Sequence, residues 1–136
     1  MNRDPVSRSD GRKRVLIADD SNTVATYIKS SMEMLGFYDA EIVANGTDAL
    51  NLIISKPYRL IILDHDMPGM KGLDIIRTLS NLKTRLSTPI MLVTGSVNGE
   101  MIEQIRNERL AVAAVIAKPF TLETFQQRVT TVIKGK

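Results

Sequence analysis

Residues 60–74 read LIILDHDMPGMKGLD, and this stretch decides the fold of the chain. Four consecutive branched aliphatic residues can be buried on both faces of a sheet, which is typical of a parallel strand covered by helices on two sides. The strand is expected to end at Leu63, because two aspartates and then a Pro-Gly pair follow it. The stretch therefore predicts a buried central strand whose carboxyl end carries acidic side chains.

The rest of the chain repeats this pattern on both sides of the central strand. Short apolar runs alternate with longer stretches whose apolar residues recur every three or four positions, as in amphipathic helices. Strands are predicted at 15–18, 40–43, 60–63, 90–93 and 112–116, each apolar on both faces, and helices at 23–35, 47–54, 73–82, 100–108 and 122–133, the last capped by Thr121. Right-handed crossovers then favour an α/β doubly wound fold, a parallel five-stranded sheet between helices, with its active crevice beyond the carboxyl ends of the strands.

The composition fits one globular domain. The chain has 136 residues, of which 43% are hydrophobic and 24% charged, and it contains no cysteine. These values exclude disulfide frameworks, thiolate catalysis and cysteine-bound metals, and they favour a packed core over disorder. Because no apolar run is as long as a membrane helix and the amino terminus lacks the apolar core of a signal peptide, we expect a cytoplasmic protein that does not enter a membrane.

The positive charge is concentrated at the amino terminus. Five basic and two acidic residues lie within positions 1–14, which accounts for the whole net charge of +3. A polar segment of this kind is typically solvated, and aromatic residues amount to only 4%, so a nucleic-acid-binding arm is the weaker interpretation. We predict a basic, flexible segment at 1–13 and a single domain at 14–134.

Polar side chains follow four of the predicted strands and should meet at one edge of the sheet. They are Asp19 and Asp20, Asp64 and Asp66, Thr94, and Lys118. Each aspartate alone could simply end a strand or cap a helix, as Asp20 could for the first helix. Several carboxylates in one crevice, however, are costly without a cation, and oxygen ligands without His or Cys favour Mg²⁺.

The motifs VLIADD (15–20), LIILDHDMPGMKGLD (60–74), PIMLVTGS (89–96) and AKPF (117–120) together resemble the receiver domains of two-component response regulators. The resemblance covers about residues 14–133, and it is to the single-domain, chemotaxis-response-regulator-like type. It implies a flavodoxin-like (βα)5 sandwich with strand order 2-1-3-4-5. It also implies Mg²⁺-dependent transfer of a phosphoryl group from a histidine kinase to the chain.

The resemblance assigns roles by position. Asp64 would be the phosphoacceptor, and Asp20 and Asp64 would bind Mg²⁺ directly, with Asp19 acting largely through water and Asp66 contributing its backbone carbonyl. Positive charge is needed there because the attacking carboxylate and the phosphoryl oxygens are all negative. Lys118 would supply part of that charge.

A switch is implied beside the acceptor. Thr94, Gly95 and Lys118 would contact the phosphoryl group, and Lys118–Pro119 would be a cis peptide that directs the lysine inward. The family commonly has Tyr or Phe where this chain has Val115. Since valine cannot exchange a large ring between buried and exposed positions, we predict that the fourth helix rearranges more than any side chain at position 115.

The resemblance implies a signalling domain that assists its own phosphorylation and slow dephosphorylation, and not an enzyme that turns over a substrate. Its partners would be a sensor histidine kinase or phosphotransfer protein, a downstream protein target and, as a further option, a second copy after phosphorylation. Because the last predicted helix runs nearly to Lys136, we expect no DNA-binding domain in this chain and output through a binding surface.

Other interpretations stay open at this point. Asp64-His65-Asp66 resembles the Asp-x-Asp motif of haloacid-dehalogenase-type phosphatases, although Pro68 and the position of the motif do not fit. A flavodoxin-like cofactor binder lacks its Gly-rich phosphate loop here, and a receiver that serves only as an interaction module would not need the full acidic set. His65 could be mistaken for a phosphohistidine or a metal ligand, but we expect it to face solvent. The chain could also be cut from a larger regulator or hybrid kinase.

Overall fold

The computed structural model describes residues 14–37, 39–82 and 87–135, so the predicted segment 1–13 lies outside the described residues. Within them, five parallel strands form one sheet in the order β2-β1-β3-β4-β5. The elements are β1 (Arg14–Ala18), α1 (Asn22–Met34), β2 (Asp39–Val43), α2 (Gly46–Ser55), β3 (Leu60–Leu63), α3 (Gly72–Ser80), β4 (Ile90–Thr94), α4 (Gly99–Glu108), β5 (Ala114–Ala117) and α5 (Leu122–Lys134). The predicted doubly wound fold and strand order are confirmed.

The sheet has a separate core cluster on each face. Helices α2, α3 and α4 cover one face, and α1 and α5 cover the other. Alternate strand residues point to opposite faces, so Leu16 and Ala18 join the first cluster while Val15 and Ile17 join the second. Every residue of β3 and β4 is buried. The burial on both faces that was predicted from residues 60–74 therefore holds at the centre of the sheet.

The edge strand β2 contradicts the prediction that all five strands are apolar on both faces. None of its residues is fully buried, and Ile42 is 38% exposed. The Glu41 carboxylate accepts hydrogen bonds from the Tyr58 hydroxyl at 2.7 Å and the Lys56 ammonium at 2.9 Å. An edge strand has one neighbour instead of two, and charged side chains there discourage pairing with another chain. The position of β2 in the sheet thus accounts for its polar character.

Two element boundaries differ from the predictions by two residues, and the others agree to within one residue. Strand β5 begins at Ala114 and not at residue 112, because the Val112 N–H donates to the Leu110 carbonyl at 2.9 Å and keeps this part of the chain in a turn. Helix α3 ends at Ser80 and not at residue 82, because the Asn81 N–H bonds to the Thr78 carbonyl at 3.1 Å, which tightens the last turn.

Four helices are preceded by an N-cap residue whose side chain accepts a hydrogen bond from the backbone N–H three positions later. These caps are Ser21, Asn45, Asn98 and Thr121. The prediction of a Thr121 cap is confirmed. The alternative in which Asp20 caps the first helix is wrong, because Ser21 takes that role. The Asp20 carboxylate therefore does not take part in capping α1.

Candidate functional site

The parallel register brings three aspartates together. Ala18 of β1 pairs with Leu63 of β3, and the Asp64 N–H donates to the Ala18 carbonyl at 2.8 Å. Beyond these strand ends Asp19, Asp20 and Asp64 form a group, which we call the acidic pocket, whose carboxylate oxygens lie within 4.8 Å of one another. Asp19 and Asp64 are 3% and 5% exposed, whereas Asp20 is open to solvent.

Lys118 directs its ammonium group into the acidic pocket. Its backbone N–H donates to the Thr94 carbonyl at 2.9 Å, which fixes the chain just after β5, and the Lys118–Pro119 peptide bond is cis. The Lys118 Nζ lies 2.7 Å from Asp19 Oδ2 and 3.2 Å from Asp64 Oδ2. The single ammonium thus bridges the two buried carboxylates, and it is closer to Asp19 than to the predicted acceptor.

Burial sets the protonation of this group. Burial raises the pKa of Asp64 above its usual value, and the charge of Asp19 raises it further, although the Asp66 N–H and the Lys118 charge oppose this. Burial acts to lower the pKa of Lys118, but its hydrogen bond to Asp19 and the charges of both carboxylates outweigh that effect, so the pKa of Lys118 is raised. A charged lysine therefore neutralises only part of the negative charge.

The acidic pocket fits a hard divalent cation. Its potential ligands are all carboxylate oxygens, the type that Mg²⁺ prefers, and the cost of burying Asp64 as an anion is the cost that a cation removes. Asp19, Asp20 and Asp64 would hold the ion. The Asp66 N–H donates to Asp64 Oδ1 at 3.1 Å, so the backbone of residue 66 runs beside the pocket, and its carbonyl as a further ligand stays a prediction.

A second polar group forms at Thr94, which ends β4 on the side of β3 away from β1. The Thr94 hydroxyl donates to Asp66 Oδ2 at 3.0 Å, and the Ser96 hydroxyl donates to the same oxygen. The two hydroxyl oxygens are 3.1 Å apart. The hydrogen bond from Ser96 is the main cause that lowers the pKa of Asp66, so this carboxylate is an anion at neutral pH. We call Thr94, Ser96 and Asp66 the hydroxyl cluster.

The loop between β3 and α3, residues 64–71, is held by close backbone contacts. The Gly46 N–H donates to the Pro68 carbonyl at 2.9 Å, and a Cβ atom on Gly46 would lie 2.0 Å from the Met70 carbonyl oxygen. A Cβ on Gly72 would lie 3.1 Å from the Asp64 carbonyl oxygen. Gly46 was missed in the sequence, although the Asn-Gly pair after the second strand was a signal that the chain turns closely there.

The structure places His65 differently from the expectation that it faces solvent. It is half-buried, and its Nδ1 accepts the backbone N–H of Leu73 at 3.3 Å. Burial lowers the pKa of His65, which suits a neutral ring with an unprotonated Nδ1. This nitrogen supports the start of α3, and it is not among the atoms that form the acidic pocket.

Two further predicted positions flank the hydroxyl cluster. Gly95 is exposed, and a Cβ atom there would meet nothing within 4 Å, so no close packing requires glycine at this position. Val115 on β5 is half-buried and packs against the core cluster beneath α2, α3 and α4. Val115 therefore packs against the same core cluster as α4, and it has no aromatic ring that could reorient.

The chain was compared with known protein families and curated proteins. The model of the response regulator receiver domain matches residues 15–130. The chain belongs to this family. It is 28% identical over 116 residues to the chemotaxis protein CheY of Pseudomonas aeruginosa, covering 85% of this chain and 92% of that protein. It is 27% identical over 115 residues to CheY-3 of Vibrio cholerae, covering 85% and 87%.

Solved structures agree with the family. The receiver domain of the Francisella response regulator 1452 has a TM-score of 0.76 at 27% identity and covers 90% of this chain and 97% of that one. The receiver domain of a signal transduction histidine kinase from Syntrophus aciditrophicus has a TM-score of 0.76 at 28% identity, with 90% coverage of both chains. Residues 64–66 accordingly lie within a receiver domain of two-component signalling. In the described part of the chain, no helix has the length and apolar character to span a membrane.

Proposed function

We infer that the chain accepts a phosphoryl group on Asp64 from a sensor histidine kinase or a phosphotransfer protein, with Mg²⁺ held in the acidic pocket. The observation that carries this proposal is the position of Lys118, whose ammonium bridges Asp19 and Asp64 at 2.7 and 3.2 Å. A purely structural ion pair would need one carboxylate. Two buried carboxylates and an exposed third leave negative charge that a divalent cation would balance.

Each side chain would contribute a distinct part of the transfer. An Asp64 oxygen attacks phosphorus in line with the bond to the donor, which breaks as the new O–P bond forms. When bound, Mg²⁺ would supply positive charge that offsets the repulsion between the nucleophile and the phosphoryl oxygens. Lys118 contacts Asp64 before transfer and a phosphoryl oxygen afterwards, while Asp19 keeps the ammonium group in position. The residues thus assist phosphorylation without a separate catalytic base.

The output would begin at Thr94. After transfer its hydroxyl donates to a phosphoryl oxygen, and the segment from Gly95 to α4 adjusts with it. Thr94 ends β4 and Ser96 lies next to the start of α4, so this movement reaches the surface formed by α4, β5 and α5. A downstream protein, or a second copy of the chain, would bind that surface. We propose the cytoplasm as its location, where kinase and target would meet it.

Intact mass after incubation with Mg²⁺ and acetyl phosphate tests the proposal. The wild type should gain the mass of one phosphoryl group, and Asp64→Asn should gain none. Asp74→Asn is the matched control, since it removes a carboxylate on α3 that pairs with Arg77, and it should label like the wild type. A wild type that stays unmodified, or an Asp64→Asn variant that still labels, would overturn the proposal.

A further inference from the structure

The hydroxyl group of Thr94 has a single proton to donate. Thr94 is fully buried, and its Oγ1 lies 3.0 Å from Asp66 Oδ2, with Ser96 Oγ 3.1 Å away on the other side. A buried hydroxyl without water must find an acceptor within the protein, and a charged carboxylate is the strongest one available. The proton that a phosphoryl oxygen on Asp64 would require is therefore already bound by Asp66.

We propose that the Asp66 carboxylate is a positioning residue that holds the Thr94 hydroxyl in the unphosphorylated arrangement and competes with the phosphoryl group for its proton. The competition rests on the proposed function, because it needs an anion on Asp64. Binding that anion in the switched arrangement breaks the Thr94–Asp66 hydrogen bond. The free energy of this bond is thus subtracted from the affinity of the site for phosphoryl-like anions.

The surroundings of Asp66 suit such a role. Its backbone is fixed, since its N–H donates to Asp64 Oδ1 at 3.1 Å and the loop that follows is held by the hydrogen bond from Gly46 to Pro68. Its side chain is exposed, and Asp66 Oδ1 lies 3.8 Å from the Lys71 ammonium. The carboxylate can therefore release Thr94 by rotating toward Lys71 and solvent, without moving the loop that carries the acceptor.

Reduced charge repulsion alone also predicts tighter binding of an anion when Asp66 is replaced. Asp66 is negative, so removing its charge would favour an anion on Asp64 by reduced repulsion even if the hydrogen bond to Thr94 had no effect. The two explanations differ in their dependence on the threonine. A hydrogen-bond effect disappears when Thr94 loses its hydroxyl, whereas a repulsion effect stays. A double-mutant cycle between positions 66 and 94 separates them.

Calorimetric titration of Mg²⁺-loaded protein with beryllium fluoride, a phosphoryl analogue, measures the cycle in the wild type, Asp66→Ala, Thr94→Val and the double variant. Asp66→Ala should bind about tenfold more tightly than the wild type, as loss of a competing charged hydrogen bond requires. In the Thr94→Val background the same change should alter affinity less than about twofold. Asp74→Ala, the matched removal of another carboxylate, should bind like the wild type.

Side-chain couplings of Thr94, measured by NMR without Mg²⁺ or beryllium fluoride, test the hydrogen bond independently of the proposed function. The wild type should show one χ1 rotamer, and Asp66→Ala should show averaging. An unchanged rotamer, or an equal gain in affinity with and without the Thr94 hydroxyl, would overturn the inference. If the wild type binds no beryllium fluoride, the proposed function and the competition for the proton both fail, and the rotamer measurement still decides whether Asp66 holds the Thr94 hydroxyl.

Discussion

The acidic pocket joins the ends of β1 and β3, the hydroxyl cluster includes the end of β4 on the other side of β3, and the two groups are built in different ways. In the acidic pocket, Asp19 and Asp64 are buried at the ends of paired strands and share one ammonium group. In the hydroxyl cluster, two hydroxyls share one oxygen of an exposed carboxylate on a loop. The strand register determines the first group, whereas side-chain rotamers determine the second.

This difference indicates which side of the site is fixed and which can switch. Moving the buried carboxylates of Asp19 and Asp64 would disturb the packed ends of β1 and β3, and packed cores resist such movement. Moving the Thr94 hydroxyl requires a rotation about χ1 and the exchange of one acceptor for another. We therefore expect changes in the pocket to abolish phosphorylation chemistry, and changes in the cluster to alter the balance between two states.

Lys118→Met should have the largest effect. It removes the cation that contacts both buried carboxylates, so the initial rate of labelling by acetyl phosphate should fall by at least about 100-fold, the usual cost of removing a major electrostatic stabiliser. Mass spectrometry over time gives the rate. Lys56→Met is the matched control, because Lys56 pairs with Glu41 at 2.9 Å at the far edge strand. Equal labelling rates for the two variants would show that the acidic pocket does not carry the phosphorylation chemistry.

Gly46→Ala should destabilise the loop that joins the two groups. The added Cβ would lie 2.0 Å from the Met70 carbonyl oxygen, and the backbone must shift to relieve this, which lowers the free energy of unfolding by about 1–3 kcal/mol. Urea denaturation gives the value. The control is Gly99→Ala at the start of α4, where a Cβ meets nothing within 4 Å and a gain of about 0.4–1 kcal/mol is expected. If Gly46→Ala is as stable as the control, the loop is not held by this contact.

Asp64→Asn should stabilise the metal-free protein at neutral pH. The folded pKa of Asp64 is raised by burial, so the stability linked to this carboxyl is present below its ordinary value of 3.8 and is lost as the pH rises through the folded pKa. The neutral amide avoids that loss. The gain, measured by urea denaturation at a series of pH values, should therefore disappear in acid. Added Mg²⁺ should stabilise the wild type more than Asp64→Asn, which keeps only two of the three carboxylates. A variant less stable than the metal-free wild type at pH 7 would show that the buried Asp64 charge does not destabilise the fold.

The sequence predicted the acidic pocket well because its geometry follows from the strand pattern together with the strand order that the family resemblance implies. Once residues 15–18 and 60–63 are recognised as neighbouring parallel strands, the aspartates that follow them must meet at one edge. Lys118 followed from the same reasoning and from the family resemblance. The fold class and most helix bounds, to within one residue, could be predicted from the same pattern, whereas the strand order followed from the family resemblance.

The hydroxyl cluster could not be predicted in this way. Sequence reasoning placed Asp66 and Thr94 on the same edge, but it assigned to Asp66 a backbone carbonyl and to Thr94 a phosphoryl contact. Which of several nearby acceptors receives a hydroxyl proton depends on rotamers and distances of a few tenths of an ångström. Gly46 was missed for a related reason, since its partner, the Pro68 carbonyl, is distant in sequence and close only in the fold.

The smallest effect should appear in α4, and it would show how far the movement of the Thr94 hydroxyl reaches. The Arg77 guanidinium holds the carboxyl end of this helix with two hydrogen bonds to Glu108, at 2.6 and 3.1 Å, while the amino end adjoins Ser96. Because Val115 has no ring to reorient, α4 itself must adjust. Amide shifts between free and Mg²⁺–beryllium fluoride-bound protein should therefore be larger at residues 98–101 than at 105–108. Arg77→Gln should flatten this gradient by freeing the carboxyl end, and an α4 whose amides do not respond at all would show that the hydroxyl cluster does not communicate with the helix.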